Sequence, residues 1–246
     1  MKRVKNFLFL LMAMPVMAFA SEANLHLDKA PVNLADQESL QRGARMFVNY
    51  CLNCHGASSM RYIRMQDIGL TEDQIKENLM FAADKPGELM KVGMTKTDGK
   101  AWFGATPPDL SVIARSRGAD WLYTYLRSFY RDESRPTGWN NVVFDKVGMP
   151  HVMWSLQGEM VPVMKKHGEH EVVERLVLAK PGSVTLAEYD SMVGDLVNYL
   201  VWMGEPAQVQ RKQLGVIVLI FLGIFFVVAY YLKKEFWKDV HWTLPC

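Results

Sequence analysis

Cys51-Leu52-Asn53-Cys54-His55 is the stretch on which the reading of this chain turns. It has the form C-x-x-C-H. Two thiols at that spacing can add to the two vinyl groups of one porphyrin, and the imidazole that follows can reach the iron from the proximal side. One short segment then serves three bonds, which is the attachment pattern of haem c. Two other uses of a cysteine pair fit less well. A structural zinc site takes four ligands, and the remaining cysteine, Cys246, lies at the far end beyond an apolar run. A thioredoxin-like redox pair sits beside a βαβ pattern, whereas the residues flanking Cys51 read as helix.

Upstream of the thiols, residues 36 to 54 (DQESLQRGARMFVNYCLNC) have helical spacing. Asp36 is the expected N-cap, and Leu40, Ala44, Phe47 and Cys51 fall on one face, which places the first thiol on the buried stripe. Gly43 disfavours a helix interior, so another element is expected to pack closely there, and Gly56 is the expected stop after His55. Downstream, Thr71 and Gln74 form a capping box for a helix to about Phe81, with Ile75 and Leu79 facing inward. The Gly-, Lys-, Thr- and Pro-rich stretch 85 to 108 reads as loop, either over a haem edge or as a plain surface connection. Trp121 or Leu122, Tyr125 and Phe129 share a helical face, and residues 133 to 169 carry no sustained period, which predicts a long irregular segment. Thr185 and Glu188 make a second capping box. The stripe Leu186, Tyr189, Val193, Leu196, Leu200 runs from it towards Trp202, and Gly204-Glu205-Pro206 ends that helix.

The ends of the chain set its compartment. Residues 1 to 20 carry Lys2, Arg3 and Lys5, then an apolar run, then Ala18-Phe19-Ala20, the form of a cleaved secretory signal, so the mature chain is expected to start at Ser21. From Leu214 to Leu232 there are 19 consecutive uncharged residues. As a helix they would span roughly 28 Å, close to the thickness of a bilayer core. Basic pairs flank the run (Arg211 and Lys212, Lys233 and Lys234), and Tyr230, Tyr231 and Trp237 suit an interfacial belt. We therefore expect a single anchor over 211–234, residues 21–210 outside the cytoplasm, and a cytoplasmic tail over 235–246 that leaves Cys246 reduced. An exported chain and a CxxCH support each other, because bacterial c-type haem is attached outside the cytoplasm. Residues 21 to 210 hold 20 Lys and Arg against 24 Asp and Glu, an imbalance that the whole-chain charge of +2 hides. A mildly acidic domain suits a basic soluble partner and argues against nucleic acid.

With His55 proximal, the sixth iron ligand separates an electron carrier from a catalyst. A thioether closes that position and raises the potential. Met149, Met153, Met160 and Met164 are the candidates in the irregular segment. His151 competes, although a lone loop histidine is expected to face solvent, as are His167 and His170.

Four further segments carry a resemblance: Pro107-Pro108-Asp109-Leu110-Ser111, Ile113-Ala114-Arg115-Ser116-Arg117, Val147-Gly148-Met149-Pro150, and Leu200-Val201-Trp202-Met203-Gly204-Glu205-Pro206 before Arg211-Lys212 and one span. In this order the chain resembles the cytochrome c1 family, the haem subunits of the ubiquinol:cytochrome c oxidoreductase (bc1) complex. The resemblance implies a mainly α, class I cytochrome c-like domain with long loops, in which the last helix of the domain crosses the first. It also implies Met149 as sixth ligand, Pro107 and Pro108 against the haem, and Arg117 on a propionate. Where many relatives have two prolines after the ligand Met, this chain has Pro150 and then His151. The implied partners are cytochrome b, the Rieske iron–sulfur protein and a soluble c-type cytochrome, and the implied place is the bacterial inner membrane. A tethered electron shuttle without a stable complex is the alternative. A haem sensor or peroxidase-like protein is a further one and needs a vacant or displaceable sixth position.

Overall fold

Asp36 accepts a hydrogen bond from Ser39 N at 3.0 Å and so satisfies a free donor at the start of α1 (Gln37–Met46). In this computed structural model, which describes residues 26–167 and 170–239, α1 does not run on to Cys54 as the spacing predicts. It widens into a π turn over Phe47–Cys51, with Leu52 N bonded to Phe47 O at 3.0 Å, and the chain then folds back so that Cys54 N and His55 N both reach Cys51 O. Such turns concentrate at functional sites. Leu40, Ala44, Phe47 and Cys51 are all buried, as their spacing requires. The signal segment and Cys246 lie outside the described residues.

The chain continues through β1 (Ala57–Arg61), a 3-10 turn over Tyr62–Ile68, and α2 (Glu72–Asn78). The Thr71–Gln74 capping box is present, but α2 stops at Asn78 and leaves Phe81 exposed. The stretch read as loop then holds β2 (Leu89–Met90), antiparallel to β1, and α3 (Lys96–Phe103), whose N-cap Thr95 accepts from Asp98 N. Next come α4 (Ile113–Arg117), α5 (Ala119–Arg127), and the antiparallel pair β3 (Phe129–Arg131) and β4 (Trp139–Asn141).

The segment 133 to 169 is not irregular throughout. Besides β4 it contains α6 (Trp154–Gln157) and β5 (Gly158–His167), which pairs antiparallel with β6 (His170–Pro181) in a long ribbon. Two register shifts break the alternation of this ribbon, and Pro162 sits within its first strand, so neither a helical nor a strand period is visible in the sequence. The second capping box opens α7 (Leu186–Gly204), whose Tyr189, Val193, Leu196 and Leu200 are buried; Leu186, expected on that stripe, is exposed in the first turn. The last element is α8 (Gln208–Phe236). It is apolar and long enough to cross a bilayer, and none of its residues is buried.

The domain is mainly helical, and its frame is the crossing of α1 and α7. A Cβ on Gly43 would lie 2.1 Å from Asp195 O and 2.6 Å from Tyr199 Cβ, so only glycine lets the two backbones meet at this distance. Arg42 grips Asp195 beside the crossing (2.6 and 3.2 Å), and Phe47 packs on Tyr199 beneath it. Buried Asn198 ties the preceding segment to α7 by exchanging hydrogen bonds with Asn33. From α5, Arg127 bonds Asp190 with two nitrogens and Asp28 with a third, and Leu126 O accepts from Tyr189 Oη at 2.8 Å. Helices α1, α5 and α7 are thereby fixed around the residues that follow Cys51.

Candidate haem site

A cavity of about 310 Å³ opens beside the thiols, a size typical of cofactor pockets. Cys51, Cys54 and His55 form one side. Pro107, Pro108 and Ile113 form a second, α5 contributes Trp121 and Tyr125, and α7 contributes Leu196 and Leu200. Gly148, Met149 and Pro150 face it from the segment after β4. All seven residues singled out in the sequence, Cys51, Cys54, His55, Pro107, Pro108, Arg117 and Met149, line this one cavity. Of the competing methionines, Met153 and Met160 are buried elsewhere and Met164 is exposed, and none of the three lines it.

His55 is buried, and its Nδ1 lies 2.7 Å from Pro108 O. A carbonyl oxygen can only accept, so Nδ1 carries the proton and the Nε2 lone pair is left free. A metal-binding histidine needs this arrangement, in which the far nitrogen is tied to a carbonyl and the ring is oriented by it. Burial lowers the His55 pKa, opposed by the Pro108 carbonyl and by Asp109, so the imidazole is neutral near pH 7. The Pro108 carbonyl is itself held in place. Asp109 accepts from Ser58 N and Ser111 N at 2.8 and 2.9 Å, and Leu110 N bonds Gly56 O. Gly56 thus belongs to this junction and does not end a helix.

Tyr125 Oη donates to Met149 Sδ at 3.4 Å. Burial pushes the Tyr125 pKa far above its ordinary value, so the phenol keeps its proton for that bond. Gly148 allows the Met149 segment to approach α3's end: a Cβ there would stand 2.9 Å from Phe103 O. Burial raises the Cys51 thiol to about 12, with Cys54 adding to it, and Cys54 is raised by burial too. Reactive dithiol pairs show the opposite shift, and among the described residues no further His, Cys, Asp or Glu completes a metal cluster around these thiols. Arg117 is exposed at the rim, with its guanidinium 5.2 Å from the Trp121 ring centroid and no carboxylate partner among the described residues. A neutral imidazole, a thioether, two thiols, an apolar wall and one unpaired cation fit a haem with its propionates.

Sequence reasoning missed three side chains that support the cavity. Asn141 is buried, donates to Tyr125 O at 2.7 Å, and accepts from Val143 N and Phe144 N, which turns the chain out of β4 towards Met149. His151 is 2% exposed instead of solvated, and lies 2.7 Å from the Oε1 of buried Gln157. An amide at the last residue of a short strand or of a one-turn helix carries no pattern that distinguishes it from a surface loop residue.

The model of the cytochrome C1 family matches residues 27–240. The chain is 51% identical to the ammonia monooxygenase gamma subunit of Nitrosomonas europaea, over 98% of this chain and 100% of that one. It is 48% identical to the cytochrome c1 of Allochromatium vinosum, over 95% and 97%. It is 30% identical to the cytochrome c1 of Rhodospirillum rubrum, over 83% of each. Coverage of nearly the whole described chain by one family model, around a cavity that brings a CxxCH and a methionine together, establishes that the chain belongs to the cytochrome c1 family.

Proposed function

We propose that the chain carries one haem c, which Cys51 and Cys54 would hold through thioethers and His55 and Met149 through the iron, and passes single electrons within a bc1 complex. The donor in this reading is the Rieske protein, itself reduced by quinol at cytochrome b, and the acceptor is a soluble c-type cytochrome. Residues 21–210 face the periplasm of a bacterial inner membrane, α8 is the anchor, and residues 1–20 are a removed signal. Any enzymatic activity belongs to the complex.

The observation that carries this reading is the pairing of His55, its Nδ1 committed to Pro108, with a Met149 sulfur that receives a hydrogen bond from Tyr125, in one cavity. When bound, haem c supplies a one-electron couple whose potential is set by its axial ligands and surroundings. The chain does the rest. Pro108 orients the imidazole, Tyr125 holds the sulfur, Pro107 and Ile113 exclude water, and Arg117 offers a cation to a carboxylate at the rim. No side chain moves a proton in this scheme. With His55 and Met149 both holding the iron, no position would be open, which would separate the chain from a sensor or peroxidase.

Solubilising the native membrane and isolating the chain tests the assignment. Co-purification with cytochrome b and Rieske subunits, together with quinol-dependent haem reduction, is the expected result. Isolation as a free monomer counts for a tethered shuttle, and isolation with a monooxygenase, as the name of the Nitrosomonas relative suggests for that protein, replaces the bc1 assignment.

A further inference from the structure

The histidine two residues beyond Met149 makes contacts that a loop residue does not need. Gln157 Nε2 donates to Arg127 O at 3.0 Å, and because that carbonyl can only accept, the amide is fixed with Oε1 towards His151. Oε1 also only accepts, so His151 donates to it through Nε2. The His151 ring lies parallel to Phe129 at 4.9 Å and 2°, and the edge of Trp139 closes on it at 5.1 Å. Phe129 in turn meets Tyr125 at 5.0 Å, and Tyr125 is the residue that donates to Met149 Sδ. The Met149-Pro150-His151 segment is therefore pinned at both ends to the C-terminal part of α5 and the strand after it. Pro150 stiffens the link between the two pins.

We propose that His151 is a positioning residue that keeps the Met149 sulfur on the cavity, by anchoring the segment to the end of α5 through the Gln157 hydrogen bond and to β3 through the Phe129 stack. The proposal rests on Met149 being the sixth ligand. His151 does not itself line the cavity. Its effect is on how often the segment opens. Opening exposes the sixth position to any small external ligand, whose apparent affinity scales with the open fraction.

Imidazole binding to the oxidised, haem-loaded full chain in detergent reads that fraction directly. In His151→Phe, which keeps a ring but leaves Oε1 unpaired, and in Gln157→Leu, which removes the acceptor, imidazole affinity is expected to rise about tenfold, equivalent to ~1.4 kcal/mol of closure. The far-red thioether-to-iron absorption band should also vanish at a lower temperature in both. The double variant should match the singles, because the two side chains act as one unit; additive effects would overturn the hydrogen-bond route. Ile75→Ala, a buried change in α2 away from the cavity, is the comparison: it lowers overall stability and leaves imidazole affinity unaltered. His151 and Gln157 variants that behave like Ile75→Ala, with the far-red band present in the parent protein, overturn the positioning role alone. Absence of that band in the parent protein overturns the Met149 ligand and this inference with it.

Discussion

At Asp109 the chemistry of a single carboxylate reaches the haem cavity, because its two backbone hydrogen bonds set the turn that presents Pro108 O to His55. Burial works against the charged form, but the donors on Ser111 and Ser58 outweigh it and hold the carboxyl below its ordinary range. A carboxylate whose folded pKa is depressed stabilises the fold above the ordinary value, and the contribution disappears as pH falls through the folded value. Asp109→Asn should therefore lower stability by about 1 kcal/mol at neutral pH, the worth of a screened, charged acceptor. The gap to the parent protein should close as pH is taken below the carboxylate range, measured as denaturant midpoints across that window. Met149→Leu makes a sharper change at the same scale. The loss of sulfur should abolish the far-red band and lower the midpoint potential, whereas Met153→Leu and Met160→Leu, buried outside the cavity, should leave both unaltered at less than about 1.5 kcal/mol of stability. The ligand-type residues of the cavity were legible at this scale because CxxCH fixes three of them by spacing. The residues that hold them, Asn141, His151 and Gln157, work through contacts between segments that no local pattern encodes.

Among the elements, a cap followed by an apolar stripe was legible, and α5 and α8 were legible from spacing and apolar run without a side-chain cap; α3, capped by Thr95, was not, because its stretch is rich in Gly, Lys and Thr and carries no apolar period. Asp36, Thr71 and Thr185 each cap through a side-chain oxygen, so the starts of α1, α2 and α7 could be placed. The end of α1 could not, because a π turn depends on packing and keeps the same apolar spacing. The β5–β6 ribbon was invisible for a different reason: bulges between Glu159 and Met160 and between Val163 and Met164 reset the faces of each strand. The crossing of α1 and α7 yields the clearest prediction. Alanine at Gly43 gains about 1 kcal/mol of helix propensity. It also drives a methyl into Asp195 O and Tyr199 Cβ, at 2.1 and 2.6 Å. Backbone on the receiving side cannot step aside as a flexible side chain could, so the packing loss, about 3 kcal/mol, should prevail. Thermal unfolding of Gly43→Ala should fall by several degrees, and an unchanged or raised midpoint would remove the crossing from its place as the frame of the domain.

Over the whole molecule, two parts with different solvents meet at Glu205. Above it the helices share one core; beyond it α8 has no buried residue and an apolar surface all round. That surface was legible in the sequence because 19 consecutive uncharged residues leave a helix no polar face. The junction is braced by ion pairs from Glu205 to Arg211 and to Arg115, whose guanidiniums are both exposed, so salt screens the two pairs. Since α8 contributes nothing to the core, a chain ending at residue 207 should fold, take up haem and stay soluble without detergent, with the far-red band and midpoint potential of the full-length protein. The change should appear only in partnership. If the proposed assignment holds, such a domain should be reduced by added Rieske protein more slowly than the anchored chain, because an anchor in the membrane plane would raise the local concentration of partners there. Equal reduction rates for the anchored and truncated forms in the same bilayer preparation would show that α8 contributes nothing to that encounter. A shifted band in the truncated form would show that the helix supports the site itself.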